Sequence, residues 1–144
     1  MRFLTHFGVV LLLLTSLCLG NEESFEKQFH YFTSYQDAHA KALQTHKPLM
    51  VLFVTTSCPW CKKLENQTLK KESVDTFIQT HFIPVFINKD TDTFPKFLSP
   101  VVSPTIFFVE PKEEKQFYDI LGYKSAVEFL ELLEEADASF RKAH

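Results

Sequence analysis

The chain has 144 residues, and its 15 basic and 18 acidic side chains give a formal net charge of −3. No run of Lys or Arg and no basic patch stands out, which argues against a nucleic-acid-binding protein. The length suits one domain with its own core, and the 16 phenylalanines predict that this core is strongly aromatic.

The N-terminal segment MRFLTHFGVVLLLLTSLCLG has the charged, apolar and small-residue regions of a secretory signal peptide. Arg2 supplies the charge, and the apolar stretch runs from residue 7 to residue 14. We therefore expect cleavage after Gly20, which assigns residues 1–20 to the signal peptide and residues 21–144 to an exported domain.

Two other interpretations of this segment, a membrane anchor and a lipoprotein signal, have less support. A membrane anchor needs about 20 apolar residues to span a bilayer, and the apolar core here is much shorter. Lipidation of Cys18 would require a small residue directly before it, whereas Leu17 stands there.

An apolar run and its flanking helices dominate the first half of the domain. PLMVLFVTT, Pro48 to Thr56, is nearly continuous in apolar residues, which is typical of a strand buried on both faces. The preceding TSYQDAHAKALQTHK predicts an amphipathic helix capped by Ser34. The following CKKLENQTLKK predicts a helix with Leu64 and Leu69 on its apolar side.

The second half predicts one more helix, three strands and a last helix. KESVDTFIQTHF favours a helix capped at Ser73, and FIPVFIN favours a buried strand that Pro84 weakens in its middle. PTIFFVE and KQFYDIL are separated by PKEE, which indicates a hairpin. Gly122 then breaks the chain before a helix that starts with a capping box of Ser125 and Glu128.

Cys58 and Cys61 are the two cysteines that remain once Cys18 leaves with the signal peptide. A structural zinc site takes four ligands, and His46 and His81 are isolated, so a zinc site would have to be shared between two chains. A purely structural disulfide is a poor interpretation because the loop it closes is minimal. Redox chemistry is the leading interpretation.

The position of the cysteine pair supports redox chemistry. Cys58 falls where the buried strand ends and the helix begins, and Pro59 fits the first helical turn because its missing N–H costs nothing there. Free N–H groups and the helix dipole favour an anion at this position, so Cys58 is the expected nucleophile in its thiolate form. Cys61, one turn further, is expected to face inward and to act as the resolving thiol.

The element order α-β-α-α-β-(loop)-β-β-α and three motifs together resemble the thioredoxin superfamily. The motifs are CXXC after a buried strand, VSPT opening the next strand, and Gly122 between the last strand and the last helix. The segment AHAKALQTHKPLMVLFVTTSCPWCKKLE is most similar to the secreted thioredoxin-like branch. The resemblance implies an α/β fold with a central mixed β-sheet flanked by helices.

The resemblance extends to the stretch NKDTDTFPKFLSPVVSPTIFF. It is similar to the thioredoxin segment that runs from a strand through a short helix into the cis-proline strand. Pro104, preceded by Ser103, takes the cis-proline position, where its lack of an N–H leaves room for the substrate backbone to pair. Asp90 and Asp92 in this stretch favour a turn over a calcium loop, because the Gly and Glu of a calcium loop are missing.

The sequence departs from the thioredoxin pattern near the cysteines. Leu52 stands where thioredoxins carry a buried Asp that helps to move the proton of the second thiol, and the motif is CPWC with Ser57 before it. Glu65, four residues after Cys61 on the same helical face, is the candidate for a replacement proton acceptor. The favoured interpretation of Glu65 is nevertheless an ordinary solvated carboxylate that pairs with Lys62 or Lys63, because exposed pairs of this kind are common.

Three further residues are candidates for substrate binding. Trp60, between the cysteines, is expected to be an exposed platform that packs against a partner polypeptide. Pro59 and Ser103 flank the reacting sulfur in the implied arrangement.

The implied activity is thiol–disulfide exchange, with reduction favoured over oxidation or isomerisation because no inserted helical domain is visible. The alternative is a redox-inert binding or chaperone module on the same fold. The disulfide itself would serve as the redox centre, with no other cofactor and no metal. The expected setting is export, in the bacterial periplasm, as a monomer with thiol- or disulfide-bearing exported proteins as substrates and a membrane electron donor as partner.

Overall fold

A computed structural model describes residues 23–144 of the chain. The predicted signal peptide at residues 1–20 therefore lies outside the described residues. Within residues 23–144, no helix is both long enough and apolar enough to cross a membrane.

In the described part of the chain, four strands form one mixed sheet: β1 Leu49–Val54, β2 Ile83–Asn88, β3 Thr105–Glu110 and β4 Lys115–Leu121. Their order across the sheet is β2-β1-β3-β4. β1 pairs parallel with β2 and antiparallel with β3, and β3 pairs antiparallel with β4 through the expected hairpin. The expected central mixed sheet flanked by helices is confirmed.

Among the residues that the structure describes, five α-helices and one π-helical segment surround the sheet. Their bounds are α1 Phe25–Gln28, α2 Tyr35–Thr45, α3 Pro59–Leu64, the π-helical segment Glu65–Leu69, α4 Glu72–His81 and α5 Ala126–Ala143. The predicted order of elements is confirmed, and the short helix α1 precedes the predicted elements.

The side chains of β1 alternate between two cores, which explains why its sequence is apolar throughout. Met50, Leu52 and Val54 belong to the core that α3, α4 and α5 complete. Leu49, Val51 and Phe53 belong to the core on the other face of the sheet, beneath α2. Successive side chains of a strand point to opposite faces, so a strand covered on both sides is typically apolar at every position.

Most predicted helix boundaries are confirmed. The Ser34 hydroxyl accepts a hydrogen bond from the N–H of Asp37, and Ser125 and Glu128 form the complete capping box of α5. Gly122 has a φ of +71°, a left-handed conformation that glycine adopts without steric cost. The break before α5 is therefore built into the sequence.

The predicted cap at Ser73 is wrong. Helix α4 begins at Glu72, and its N-cap Lys71 makes no side-chain capping bond. The buried residues Val74 and Ile78 fix how the helix faces the core, and Glu72 and Asp75 supply negative charge in its first turn. Packing and the helix dipole thus set the start of α4 without a hydroxyl cap.

Pro84 lies inside β2 because β2 is an outer strand of the sheet. A proline cannot donate a ladder hydrogen bond, and an outer strand has one side on which no donor is needed. On that side the carbonyl of Pro84 accepts a hydrogen bond of 2.9 Å from the N–H of Phe32.

The short helix that the resemblance implied between β2 and β3 does not form, since residues 89–104 are turns and irregular chain. Prolines interrupt this stretch, and Phe94 and Leu98 attach it to the core beneath α2. The predicted turn at Asp90 and Asp92 is confirmed: the N–H of Asn88 donates to the carboxylate of Asp92 at 2.8 Å.

Candidate redox site

Cys58 and Cys61 form a disulfide at the start of α3. Cys58 is the N-cap of the helix, and its Sγ accepts a hydrogen bond of 3.2 Å from the N–H of Cys61. Pro59 occupies the first helical turn, as its missing donor allows. Cys58 is half-buried, whereas Cys61 is only 2% exposed, so the sulfur of Cys58 is the one that a substrate can approach.

The loop that presents Cys58 is tied to the turn after β2. The N–H of Thr56 donates to the Asp90 carboxylate at 2.9 Å, and the Asn88 side-chain amide donates to the Thr56 hydroxyl at 3.3 Å. Because β1 and β2 are parallel, their carboxyl ends lie side by side, and this places the turn against the loop.

Pro104 lies at the same edge of the sheet as Cys58, and the Ser103–Pro104 peptide is cis. Thr105 pairs with Phe53 of β1, so Pro104 is one residue beyond the pair, where β1 leads toward the cysteines. The Thr105 hydroxyl donates to the carbonyl of Val102 at 2.7 Å and so holds the preceding loop. The hydroxyl oxygen of Ser103 is buried and has no hydrogen-bond partner among the described residues.

A cavity of about 560 Å³ lies beside the disulfide. Both cysteines line it, together with Glu65, Lys62 and Glu26 of α1. Its size leaves room for several water molecules, and the charged groups of Glu26, Lys62 and Glu65 can hold them. The cavity therefore connects the buried sulfur of Cys61 with charged side chains.

Glu65 is a buried carboxylate in the wall of this cavity. It is 3% exposed, and its Oε2 accepts a hydrogen bond of 2.9 Å from the ammonium of Lys62, whose side chain is 71% exposed. The expectation of a solvated carboxylate is wrong, although the expected pairing with Lys62 is confirmed. A buried carboxylate costs free energy unless it is paired, and Lys62 supplies the pairing charge.

Tyr31 lies close enough to this site for the negative charge of Glu65 to affect its pKa. Burial, and then the negative charges of Asp75 and Glu65, raise the pKa of Tyr31 well above its ordinary value. The hydroxyl thus keeps its proton, and it has no hydrogen-bond partner among the described residues. Leu52, which takes the place of the strand carboxylate, is fully buried in the same core as Cys61.

Trp60 is 56% exposed, as expected for a platform beside the cysteines. Its ring lies 5.9 Å from the ring of Tyr123, which follows Gly122. The Lys63 ammonium lies 4.9 Å from the Trp60 ring and 4.5 Å from the Tyr123 ring. No sequence pattern predicts this grouping, because Tyr123 is far from the CXXC motif along the chain.

No three His, Cys, Asp or Glu side chains within residues 23–144 cluster as a metal site would require. His46 and His81, the two histidines weighed as zinc ligands, lie on different elements: His46 caps α2, and His81 ends α4 beside Asp137.

The fold and the cysteine pair together define the class of protein, a thioredoxin-like domain that carries a CXXC disulfide. The family of thioredoxin-like domains matches residues 35–137, and the chain belongs to this family. The match includes both cysteines, the cis-proline strand and most of α5.

One curated relative is anterior gradient protein 3 of Mus musculus, which is 32% identical over 80 residues. The aligned part covers 54% of this chain and 47% of that protein, so the chain matches about half the length of this relative.

Two solved structures show the same fold at low identity. A thioredoxin from Thermus thermophilus is 24% identical with a TM-score of 0.63, over 73% of this chain and 85% of that chain. The oxidised C-terminal domain of DsbD from Neisseria meningitidis is 24% identical with a TM-score of 0.58, over 74% of this chain and 98% of that chain. At this identity the likeness establishes the thioredoxin fold.

Proposed function

We propose that the protein reduces disulfides in exported proteins through Cys58 and Cys61. The observation that carries the proposal is the asymmetry of the pair. Cys58 is half-buried at the start of α3, and Cys61 is buried one turn further along. The sulfur of Cys58 is accessible to a large substrate, whereas the sulfur of Cys61 can react only with that of Cys58.

The exchange proceeds in two steps that conserve electrons. The Cys58 thiolate attacks a substrate disulfide, so that the substrate S–S bond breaks and a mixed disulfide forms. Cys61 then loses its proton and attacks Cys58, which releases the second substrate thiol and forms the Cys58–Cys61 bond. Two electrons pass from the protein to the substrate, and the protons of the protein dithiol balance those that the substrate takes up.

The helix start stabilises the attacking form of Cys58. Its sulfur already accepts the N–H of Cys61, and further free N–H groups at the start of α3 favour negative charge there. A thiolate, and not a thiol, is the reactive species in disulfide exchange, so this arrangement raises the reactivity of Cys58.

Pro104 and Ser103 form the opposite wall of the substrate site. Pro104 carries no N–H, so the backbone at this sheet edge can accept an extended substrate segment beside Cys58. Trp60 and Pro59, both exposed, extend the contact on the helix side.

Glu65 accepts the proton of Cys61 before the second step. The carboxylate and the thiol line one cavity and are four residues apart on one helical face, so water in the cavity can relay the proton. Lys62 balances the charge of Glu65 in the buried site. In this role Glu65 replaces the strand carboxylate whose position Leu52 occupies.

The architecture favours reduction over oxidation. Between β2 and β3 the described chain has turns and irregular structure, with no inserted helical domain of the kind that the larger oxidase branch carries. A reductase outside the reducing cytosol needs a supply of electrons, and we assign this role to a membrane electron donor. Residues 1–20 are the proposed export signal, and the bacterial periplasm is the proposed compartment.

The reduction potential of the Cys58–Cys61 disulfide tests this direction. Equilibration of the purified protein with thiol redox buffers should give a value near that of thioredoxin, about −270 mV. A value near about −120 mV, that of a strong oxidant, would assign the protein to disulfide formation instead. The redox-inert alternative predicts that the pair fails to cycle between dithiol and disulfide in these buffers.

A further inference from the structure

A cation is held between two aromatic rings beside the cysteine pair. The Lys63 ammonium lies 4.9 Å from the Trp60 ring and 4.5 Å from the Tyr123 ring. The negative face of an aromatic ring attracts a cation within about 6 Å of its centroid, so both rings contribute. We call Trp60, Lys63 and Tyr123 the aromatic clamp.

The clamp has support from the rest of the fold. Gly122, with its positive φ, turns the chain between β4 and α5 so that Tyr123 meets the active-site helix. The Tyr123 hydroxyl donates to the side-chain carbonyl of Gln67 at 3.2 Å, which ties the ring to the π-helical segment. Fixing a lysine side chain in one conformation costs considerable conformational entropy. Here the contacts of the Lys63 ammonium with the two rings offset that cost in the protein before any ligand binds.

Lys63 has no carboxylate partner among the described residues, unlike its neighbour. The positive charge of Lys62 is taken up by Glu65, whereas Lys63 is held by rings that leave its charge uncompensated. Residues 59–71 contain four lysines and one acidic residue, the buried Glu65. Lys63 is therefore the lysine of the first turns of this helix whose charge no carboxylate of the described residues balances.

We propose that Lys63 selects substrates that carry a carboxylate close to the reacting cysteine. Trp60 lies between the two cysteines, so a cation fixed against its ring stands beside any polypeptide joined to Cys58. A Glu or Asp side chain of that polypeptide would pair with the Lys63 ammonium, while the exposed Trp60 ring packs against its apolar atoms. The inference rests on the proposed disulfide exchange and specifies its substrate class.

The test uses pairs of peptides that each contain one intramolecular disulfide. The two peptides of a pair are identical except for one position, which is Glu in one and Gln in the other. This position is varied from pair to pair over the residues on both sides of each peptide cysteine. The measured quantity is the ratio of the rates at which the reduced protein reacts with the Glu and Gln forms. At the best position the wild type should favour Glu by about two- to five-fold, the range expected for one partly exposed ion pair. The preference should fall toward one in about 1 M salt, where charges are screened within ~3 Å.

Three variants of Lys63 test whether the preference for Glu depends on this residue or on the overall positive charge of the helix. Lys63→Gln should bring the ratio to one, Lys63→Glu should reverse it, and Lys63→Arg should preserve it, because arginine keeps both the charge and the ring contact. Lys70→Gln is the matched control: it removes an exposed lysine at the far end of the π-helical segment and should retain the wild-type ratio.

The outcomes distinguish this inference from the proposed function. Exchange without a preference for Glu at any position, or a preference that persists in Lys63→Gln, would overturn the role of Lys63 and leave the exchange activity standing. Failure of the wild type to exchange with either peptide would overturn the proposed function and this inference together.

Discussion

Replacing Cys61 with serine is expected to leave the protein covalently attached to its substrates. Cys58 can still attack a disulfide, but the group that resolves the mixed disulfide is gone. In the wild type, Cys61 is held next to Cys58, and such well-oriented groups reach effective molarities of about 10⁵ M or more. External thiols at millimolar concentration cannot match this, so release should slow by more than ~10³-fold.

Non-reducing electrophoresis and mass spectrometry of the Cys61→Ser protein, after incubation with a disulfide-bonded substrate, would detect the adduct. Cys58→Ser is the matched control, because it keeps one thiol but leaves only the buried Cys61. That variant should form little or no adduct, since Cys61 is screened from large substrates. Equal adduct from the two variants would show that the assignment of nucleophile and resolving thiol is wrong.

Replacing Glu65 with glutamine should slow the second step of the exchange. Glutamine keeps the shape of the side chain but cannot accept a proton from Cys61, and general-base catalysis contributes about 10²-fold or more. The deficit should be largest near pH 6, where few hydroxide ions are available to deprotonate Cys61. It should shrink as the pH rises, because the thiol then ionises without help.

Stopped-flow measurement of mixed-disulfide decay across this pH range would check the effect. Glu131→Gln is the control, because it neutralises an exposed carboxylate on α5 and should leave the profile unchanged. If the mixed disulfide of Glu65→Gln decays at the wild-type rate at every pH, Glu65 is a structural partner of Lys62 and not a proton acceptor. A deficit that is constant with pH would indicate misplacement of Cys61, not loss of a proton acceptor.

The parts of the site that are local in sequence could be predicted. A continuous apolar run specified β1, because a strand covered on both faces admits no alternation. The helix start at Cys58 followed from Pro59 and the run of helix formers behind it. The inward position of Cys61 then followed from its place one turn into a helix that packs on a sheet.

The parts that depend on distant packing could not be predicted. Glu65 has lysines before it and polar residues after it, a pattern typical of a solvated helix face, yet Glu26 of α1 and the loop before Cys58 enclose its cavity. The contact of Lys63 with Tyr123 likewise requires the turn at Gly122 to meet the active-site helix. Neither arrangement leaves a periodic or motif signal in the sequence.

The reduction of insulin disulfides tests the central claim most directly. With dithiothreitol as the electron source, the purified protein should accelerate insulin precipitation well above the uncatalysed rate, and Cys58→Ser should return the rate to that background. A wild-type rate equal to background, or a Cys58→Ser rate equal to that of the wild type, would contradict disulfide exchange by Cys58 as the function of this site.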